Sequence, residues 1–169
     1  LELGYPGGAV LEKMALSGDL GKFFLPTPLI GQESRQIFSY SGLKTSFLRL
    51  IKSNKDDKAD FPSKKELFDL AATYQDIALT HLTRIISYRV SHSTVRPVNF
   101  LLGGGVAANI ELRRRLRKLG RKYAFKLMTP YAKKLCGDNA AMVGVCAFLN
   151  PKYTKPDKID RNPNLKIDN

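Results

Sequence analysis

The sequence contains too few cysteines and histidines for several common kinds of site. Cys136 and Cys146 cannot make a disulfide framework and lack zinc-type spacing, and both lie in an apolar segment, where we expect small buried side chains. His81 and His92 are too far apart in sequence for an i, i+4 metal pair, so each is expected to be a surface or hydrogen-bonded histidine. No nucleophile has a nearby histidine base, which leaves triad chemistry without support.

Long apolar runs are also missing. No stretch is long enough to span a membrane, and no signal-peptide pattern is present, so a cytoplasmic protein without a membrane partner is expected. The chain begins at Leu1, inside what reads as a motif, which favours a fragment of a longer product. No internal repeat is apparent.

Acidic residues are scarce relative to basic ones. The 169 residues include 28 Lys and Arg but only 15 Asp and Glu, a formal net charge of +13. Such an excess predicts a polyanionic partner, with nucleic acid first and an anionic membrane surface second. A generic basic surface is the alternative.

The glycine-rich stretch 98–109 organises the second half of the chain. It predicts a short buried strand that stops at three glycines and turns directly into a helix over 110–122. Helix N-termini leave backbone N–H groups unpaired, and glycines let an anion approach the main chain. A phosphate site and a tight connection without a ligand are equally compatible with this pattern.

Further strands and helices follow in alternation. Residues 125–128 predict a second strand and residues 140–149 a final apolar helix, an order that favours an α/β layer. Beyond Asn150 we expect a loosely held tail that closes with a strand near 165–167.

Mostly helices are predicted before the glycine stretch. A turn at 4–8 leads into a helix over 10–17, and a short helix follows Gly42. Residues 52–65 read as a solvated loop. Ser63 and Glu66 have capping-box spacing and open the longest helix, over about 64–88. Its core-facing stripe consists of Leu67, Leu70, Ala71, Tyr74, Ala78, Leu82 and Ile85.

Several polar residues are candidates for chemistry. Asp138 and Asn139 stand at a helix start, where they suit either an N-cap or, for Asp138, a carboxylate that binds a metal in a cleft. Glu12 can accept a hydrogen bond from a ribose hydroxyl or be a solvated charge. Three more residues can orient a bound anion: Ser39, Ser41 and Lys44.

The helix over 110–122 carries a dense basic face. Ten Lys or Arg residues lie between 113 and 134 with no acid among them, a density that would repel itself without an anion nearby. Contact with RNA and a merely solvated face remain open. The residues singled out for possible RNA contact are Arg113, Arg114, Arg115, Arg117 and Lys118.

Four motifs occur together and in order in one known family. They are Gly4-Tyr5-Pro6-Gly7-Gly8 with Glu12-Lys13, Phe38-Ser39-Tyr40-Ser41-Gly42-Leu43-Lys44-Thr45, Gly104-Gly105-Val106-Ala107-Ala108-Asn109, and Cys136-Gly137-Asp138-Asn139-Ala140-Ala141-Met142. The chain resembles the carboxyl-terminal half of the TsaD (Gcp) family of tRNA threonylcarbamoyladenosine-forming transferases, closer to the bacterial and mitochondrial branch. The resemblance covers roughly residues 1–149.

The resemblance implies an actin-like, HSP70-like (ASKHA) ATPase fold of the α/β class. Residues 1–149 would form mostly the second lobe, with a helical insertion at about 42–90, and residues 150–169 an extended tail. It also implies partner proteins of the TsaB and TsaE types, besides tRNA.

The implied reaction transfers a threonylcarbamoyl group from threonylcarbamoyl-AMP to N6 of the adenosine beside the tRNA anticodon. By position, Gly8 and Asn109 match residues that hold the nucleotide part of the substrate, and Glu12 matches a nucleotide contact found in only part of the family. Gly104 and Gly105 belong to the same cradle. Asp138 matches a carboxylate ligand of a divalent metal, iron or zinc, which would activate the carbonyl.

Departures from the family pattern limit this expectation. The family's two metal-binding histidines come from its first half, and neither His81 nor His92 replaces them, so the isolated chain is predicted to be inactive. Ala9 stands where proline is usual, and Gly137 where a hydroxyl residue is common. The alternatives are another ASKHA-fold phosphotransferase or ATPase, and a non-catalytic RNA- or protein-binding remnant.

Overall fold

A computed structural model describes residues 7–57, 62–95 and 97–151, together with 153, 155, 157 and 160. Its helices and strands are, in order, α1 (Gly7–Ala15), α2 (Ser41–Asp57), α3 (Lys64–Ser91), β1 (Asn99–Leu101), α4 (Ile110–Tyr123), β2 (Lys126–Met128) and α5 (Ala140–Leu149). Short 3₁₀ turns lie at Glu33–Arg35, Gly105–Ala108 and Lys133–Leu135. The described part is therefore an α/β structure rich in helix, as the order of elements predicted.

The long helix α3 is the element on which α1 and α4 pack. The predicted capping box begins it: the Ser63 N–H donates to Glu66 Oε2 at 2.8 Å, and the Glu66 N–H donates to Ser63 Oγ at 3.4 Å. The chain leaving α1 approaches α3 so closely that a Cβ on Gly18 would lie 2.0 Å from the Phe68 carbonyl oxygen. This close contact needs glycine.

Strands β1 and β2 pair in parallel, with α4 as the crossover between them. Leu112 and Leu116 of α4 are fully buried against Leu79 of α3. The turn from α4 into β2 is tight, because a Cβ on Gly120 would lie 2.6 Å from the Phe125 carbonyl oxygen. The structure thus confirms the strand, helix, strand order and joins it to α3 through one apolar core.

The prediction that the first strand is buried is wrong. Phe100 and its partner Leu127 pack on the core, but Leu101 is 79% exposed. Successive residues of a strand point to opposite faces, and only one face of this two-stranded sheet lies on α4. An apolar run therefore does not prove burial on both faces.

Three local predictions also need correction. Residues 52–57 belong to helix α2 instead of a solvated loop, and Gly7 and Gly8 are the first residues of α1 instead of a turn. The turn Gly105–Ala108 separates β1 from α4, so the strand does not pass directly into the helix. The rest of the predicted turn, the loop residues 58–61 and the expected closing strand lie outside the described residues.

The final helix α5 forms where it was predicted, but none of its residues is buried. Cys136 is buried before it, as expected, whereas Cys146 within it is exposed, which contradicts the expectation for that cysteine. The helix is apolar in composition, but no other element among the described residues covers it, so its apolar side chains stay exposed.

The two histidines are both hydrogen-bonded. His81 is fully buried on α3, and its Nε2 accepts a hydrogen bond from the Ser39 N–H at 3.2 Å. His92 is exposed and ends α3, with its Nδ1 2.9 Å from Ser91 Oγ. No described helix combines the length and the apolar character that crossing a membrane requires.

Candidate functional site

A cavity of about 410 Å³ opens where α1, α3 and the turn before α4 meet. This volume is in the range of small-molecule sites, and the lining is mainly apolar with a few polar groups, as such sites usually are. The residues that line it are Gly8, Ala9, Leu11, Glu12, Tyr74, Gln75, Ala78, Leu79, Gly105, Val106, Ala108 and Asn109. Four of the predicted nucleotide-binding residues, far apart in the sequence, therefore share one cavity.

Asn109 holds the end of the cavity nearest α4. Its Oδ1 accepts a hydrogen bond from the Leu112 N–H at 2.8 Å, which makes it the N-cap of α4. Its Nδ2 donates to Gln75 Oε1 at 2.9 Å. The two bonds fix the orientation of the amide, and they tie α4 to α3 at the cavity wall.

Glu12 reaches from α1 to the same helix end. Its Oε1 accepts a hydrogen bond from the Ile110 N–H at 2.7 Å. A carboxylate at a helix N-terminus is favoured by the helix dipole. The expectation that the first donors of α4 are open to a phosphate is thus wrong for Ile110 and Leu112, which already have side-chain acceptors.

The glycines beside the cavity keep their backbone accessible. Gly104 adopts a φ of 86°, which favours glycine, and its carbonyl oxygen accepts from the Ala107 N–H at 2.9 Å. A Cβ built on Gly8 or Gly105 would meet no atom within 4 Å. A ligand can therefore approach the main chain at Gly8 and Gly105, while Gly104 shapes the turn next to the cavity.

Sequence reasoning missed the contribution of α3 to this cavity. Tyr74 and Ala78 were expected to be core-facing, and Gln75 was given no role. The ring of Tyr74 packs at 4.9 Å, centroid to centroid, on Phe47, and burial raises the pKa of its hydroxyl. The sequence signal for a role of α3 in the site was the polar Gln75 next to an apolar stripe. Only the fold shows that Gln75 lies beside Asn109.

The other predicted anion-orienting residues do not line the cavity. The Ser39 N–H is bound to His81, and Ser41 and Lys44 are exposed on the first turn of α2. Their predicted role therefore has no support from this geometry.

Asp138 lies outside the cavity lining. Asn139 is the residue that caps α5, since its Oδ1 accepts from the Met142 N–H at 2.9 Å, so the exposed Asp138 carboxylate is not used as a cap. Among the described residues, no three His, Cys, Asp or Glu side chains cluster closely enough to hold a metal ion. The described residues alone therefore do not form a metal site, because Asp138 is the single predicted ligand among them.

The predicted basic residues on α4 are not equivalent. Arg113 and Arg115 are half-buried and bonded within the fold, whereas Arg117 and Lys118 are exposed. Arg114 and Arg115 both donate to the carboxylate of Glu111, at 2.6 to 2.7 Å. Their guanidinium groups, Arg114 first, lower the Glu111 pKa to about 2.

The fold and cavity define an α/β protein with a site large enough for a nucleotide. Comparison with known proteins narrows the class: the family model described as TsaD, tRNA N6-adenosine threonylcarbamoyltransferase, matches residues 1–145. The chain belongs to the TsaD family.

Individual relatives agree with the family match. Proteins named tRNA N6-adenosine threonylcarbamoyltransferase are 37% identical in Campylobacter fetus, 37% in Rippkaea orientalis and 36% in Thermosipho africanus. Each alignment covers 99% of this chain and 48% of the relative. The chain thus spans about half the length of the curated relatives that it matches.

Proposed function

We propose that this chain provides the adenylate-binding part of a tRNA N6-adenosine threonylcarbamoyltransferase. The observation that carries the proposal is the convergence of Gly8, Glu12, Gly105 and Asn109 on one cavity. The family match supports the same reaction, in which the threonylcarbamoyl group of threonylcarbamoyl-AMP moves to N6 of an adenosine beside the tRNA anticodon.

The chemistry of the lining suits the nucleoside end of that substrate. Leu11, Ala78 and Leu79 offer apolar surface to a purine ring, while Glu12 and Gln75 offer polar groups to its edge or to ribose hydroxyls. One Glu12 oxygen is bound to the Ile110 N–H, which leaves the carboxylate a further acceptor site. The phosphate would lie along the open main chain of the glycine run, since the start of α4 is already capped.

The chain's own contribution to catalysis is then binding and orientation. Holding the adenylate in a fixed place converts attack by the tRNA amine into an effectively intramolecular step. Asp138 is proposed as one ligand of a divalent metal whose other ligands lie outside this chain. We therefore expect the isolated chain to bind adenylate but not to transfer the threonylcarbamoyl group.

The wider family features belong to the same proposal. They are the actin-like fold with residues 1–149 mostly in its second lobe, a helical insertion at about 42–90, a tail at 150–169, and partners of the TsaB and TsaE types. The helices α2 and α3, which fill most of the interval 42–90, support the insertion.

Blocking the cavity tests the proposal. Gly8→Val adds a side chain at a residue of the cavity lining, where a Cβ meets nothing within 4 Å. We expect it to weaken the binding of threonylcarbamoyl-AMP by at least about tenfold, as measured by isothermal titration calorimetry on the full chain.

The matched control is Gly42→Val. Gly42 is also exposed in a first helical turn, and a Cβ there also meets nothing within 4 Å, but it lies outside the cavity. This variant should bind within about twofold of wild type. Absence of binding by wild type, or equal losses in both variants, would refute the proposal, and binding of ATP in preference to the adenylate would favour a phosphotransferase.

A further inference from the structure

The basic residues between 113 and 134 differ in whether their side chains are hydrogen-bonded or ion-paired within the fold. Arg113 donates from Nε to the Ala107 carbonyl oxygen at 2.6 Å and from its guanidinium to Cys136 Sγ at 3.2 Å. Arg115 bonds to Thr80 Oγ1 at 2.9 Å, and it is ion-paired with Asp76 and Glu111. Both side chains are half-buried and hold α4 to its neighbours.

A second group of cations is free of such bonds. Arg117 and Arg121 lie one helical turn apart on α4, and Lys126 begins β2; all three are exposed. Within the part of the chain that the structure describes, their side chains have no acidic or hydrogen-bonding partner. Positions i and i+4 share a helix face, so the two arginines project on the same side.

These three cations line one open groove of about 670 Å³. Its other lining residues are Gly120, Ala124 and Phe125 at the tight connection between α4 and β2, together with Leu127 of β2 and Val98, which precedes β1. Gly120 lies against the Phe125 carbonyl oxygen, and Ala124 is left-handed, with its N–H bonded to the Gly120 carbonyl oxygen. Arg121 and Lys126 therefore flank a closely packed connection, and Arg117 lies one turn earlier on α4.

We propose that the groove lined by Arg117, Arg121 and Lys126 is an RNA-backbone contact surface. When protein cations bind phosphates, the counterions condensed on the nucleic acid are released, and this release supplies affinity without base recognition. The identification of the RNA as tRNA rests on the proposed function. The surface excludes Arg113 and Arg115, whose charges serve the fold.

An anionic membrane fits this surface less well. A basic amphipathic helix that lies in a membrane interface inserts an apolar face beside its basic one. The apolar face of α4 is occupied, because Leu112 and Leu116 are fully buried in the core. The open groove beside α4 thus offers charge without an inserting face of that helix, which suits the phosphates of an RNA backbone.

Neutralising the groove tests the assignment. We expect the triple variant Arg117→Gln, Arg121→Gln, Lys126→Gln to bind an unmodified tRNA transcript at least about tenfold more weakly at 100 mM salt. The slope of log affinity against log salt should also fall by about two to three, the value for three lost phosphate contacts. Fluorescence anisotropy of labelled tRNA gives both quantities.

The control removes the same charge from α2. The triple variant Arg49→Gln, Lys52→Gln, Lys55→Gln replaces three exposed cations and should lose less than about threefold in affinity. Equal losses in the two triple variants, or wild-type binding by the groove variant, would overturn the assignment. Wild-type binding to vesicles of 30% phosphatidylserine in phosphatidylcholine that matches tRNA binding would also overturn it.

Adenylate binding separates this proposal from the proposed function. The groove variant should bind threonylcarbamoyl-AMP as wild type does, because the groove and the cavity share no residue. If wild type binds no adenylate while the groove variant still loses RNA affinity, the proposed function fails and the RNA surface stands.

Discussion

At the scale of single residues, His81 links the fold to pH. It is fully buried, and its Nε2 must be unprotonated to accept from the Ser39 N–H. Burial lowers the pKa of its ring from the usual 6.5, and the nearby charge of Arg84 lowers it further. The neutral ring is thus part of the folded structure, as the expectation of a hydrogen-bonded histidine anticipated.

The sign of the resulting pH dependence follows from linkage. The folded state binds fewer protons than the unfolded state below pH 6.5, so the free energy of unfolding is highest above that pH and falls as the pH is lowered. We expect a loss of stability between pH 7 and pH 5, measured by urea unfolding at each pH. His81→Gln should remove this loss and His92→Gln should keep it; identical pH profiles for wild type and His81→Gln would contradict the account.

Single residues also show where sequence reasoning stops. Asn109 was predicted at the site from its motif, and it lies there. Its hydrogen-bond partner Gln75 belongs to α3, whose sequence pattern predicted only core packing. Which side chains share a cavity depends on how α1, α3 and α4 meet, and that arrangement is not written in any local spacing.

At the scale of elements, α4 is held by a cluster of charges at its first turn. Glu111 accepts from Arg114 and Arg115, and Arg115 also pairs with Asp76 of α3. The sequence predicted a dense basic face on this helix and left open whether that face contacts RNA or is merely solvated. Spacing along one helix does not reveal the acids on its neighbours. The structure divides that face into ion-paired and open parts.

This cluster predicts acid sensitivity. The Glu111 pKa is lowered from 4.5 to about 2, so its contribution to stability is complete above pH 4.5 and is lost as the pH falls toward 2. Because the group is partly exposed, we expect a contribution of about 1 kcal/mol. Glu111→Gln should flatten the fall in the free energy of unfolding between pH 4.5 and 3, followed by chemical denaturation.

The control for the cluster is Asp138→Asn. It removes the same charge from an exposed residue outside the cluster and should leave the acid limb unchanged. An acid limb that is the same in wild type and Glu111→Gln would show that the ion pairs do not stabilise α4.

Local signals predicted most elements because each had a local cause. The capping box began α3, and the strand, helix, strand order placed β1, α4 and β2. Failures occurred where the cause was not local: residues 52–57 extend α2 despite their charges, and α5 and β1 have exposed apolar residues. Burial is decided by neighbours, which apolar composition alone cannot supply.

At the scale of the whole molecule, the two proposed binding functions belong to two separate surfaces. The cavity between α1, α3 and the turn before α4 has the size and lining proposed for an adenylate. The groove at the far end of α4 carries cations that have no acidic or hydrogen-bonding partner among the described residues, as proposed for contact with an RNA backbone. Both surfaces depend on α4, whose start lies at the cavity and whose end lies at the groove. A single helix therefore connects the two proposed binding functions.

The occupancy of the cavity is the central claim, and amide chemical shifts report on it directly. Titration of the isotope-labelled chain with threonylcarbamoyl-AMP should shift the backbone amides of Gly8, Gly105 and Asn109 with one common dissociation constant. It should leave a second apolar pocket, lined by Phe38, Val90 and Phe100, unchanged. Shifts confined to that second pocket, or none at all, would contradict the account.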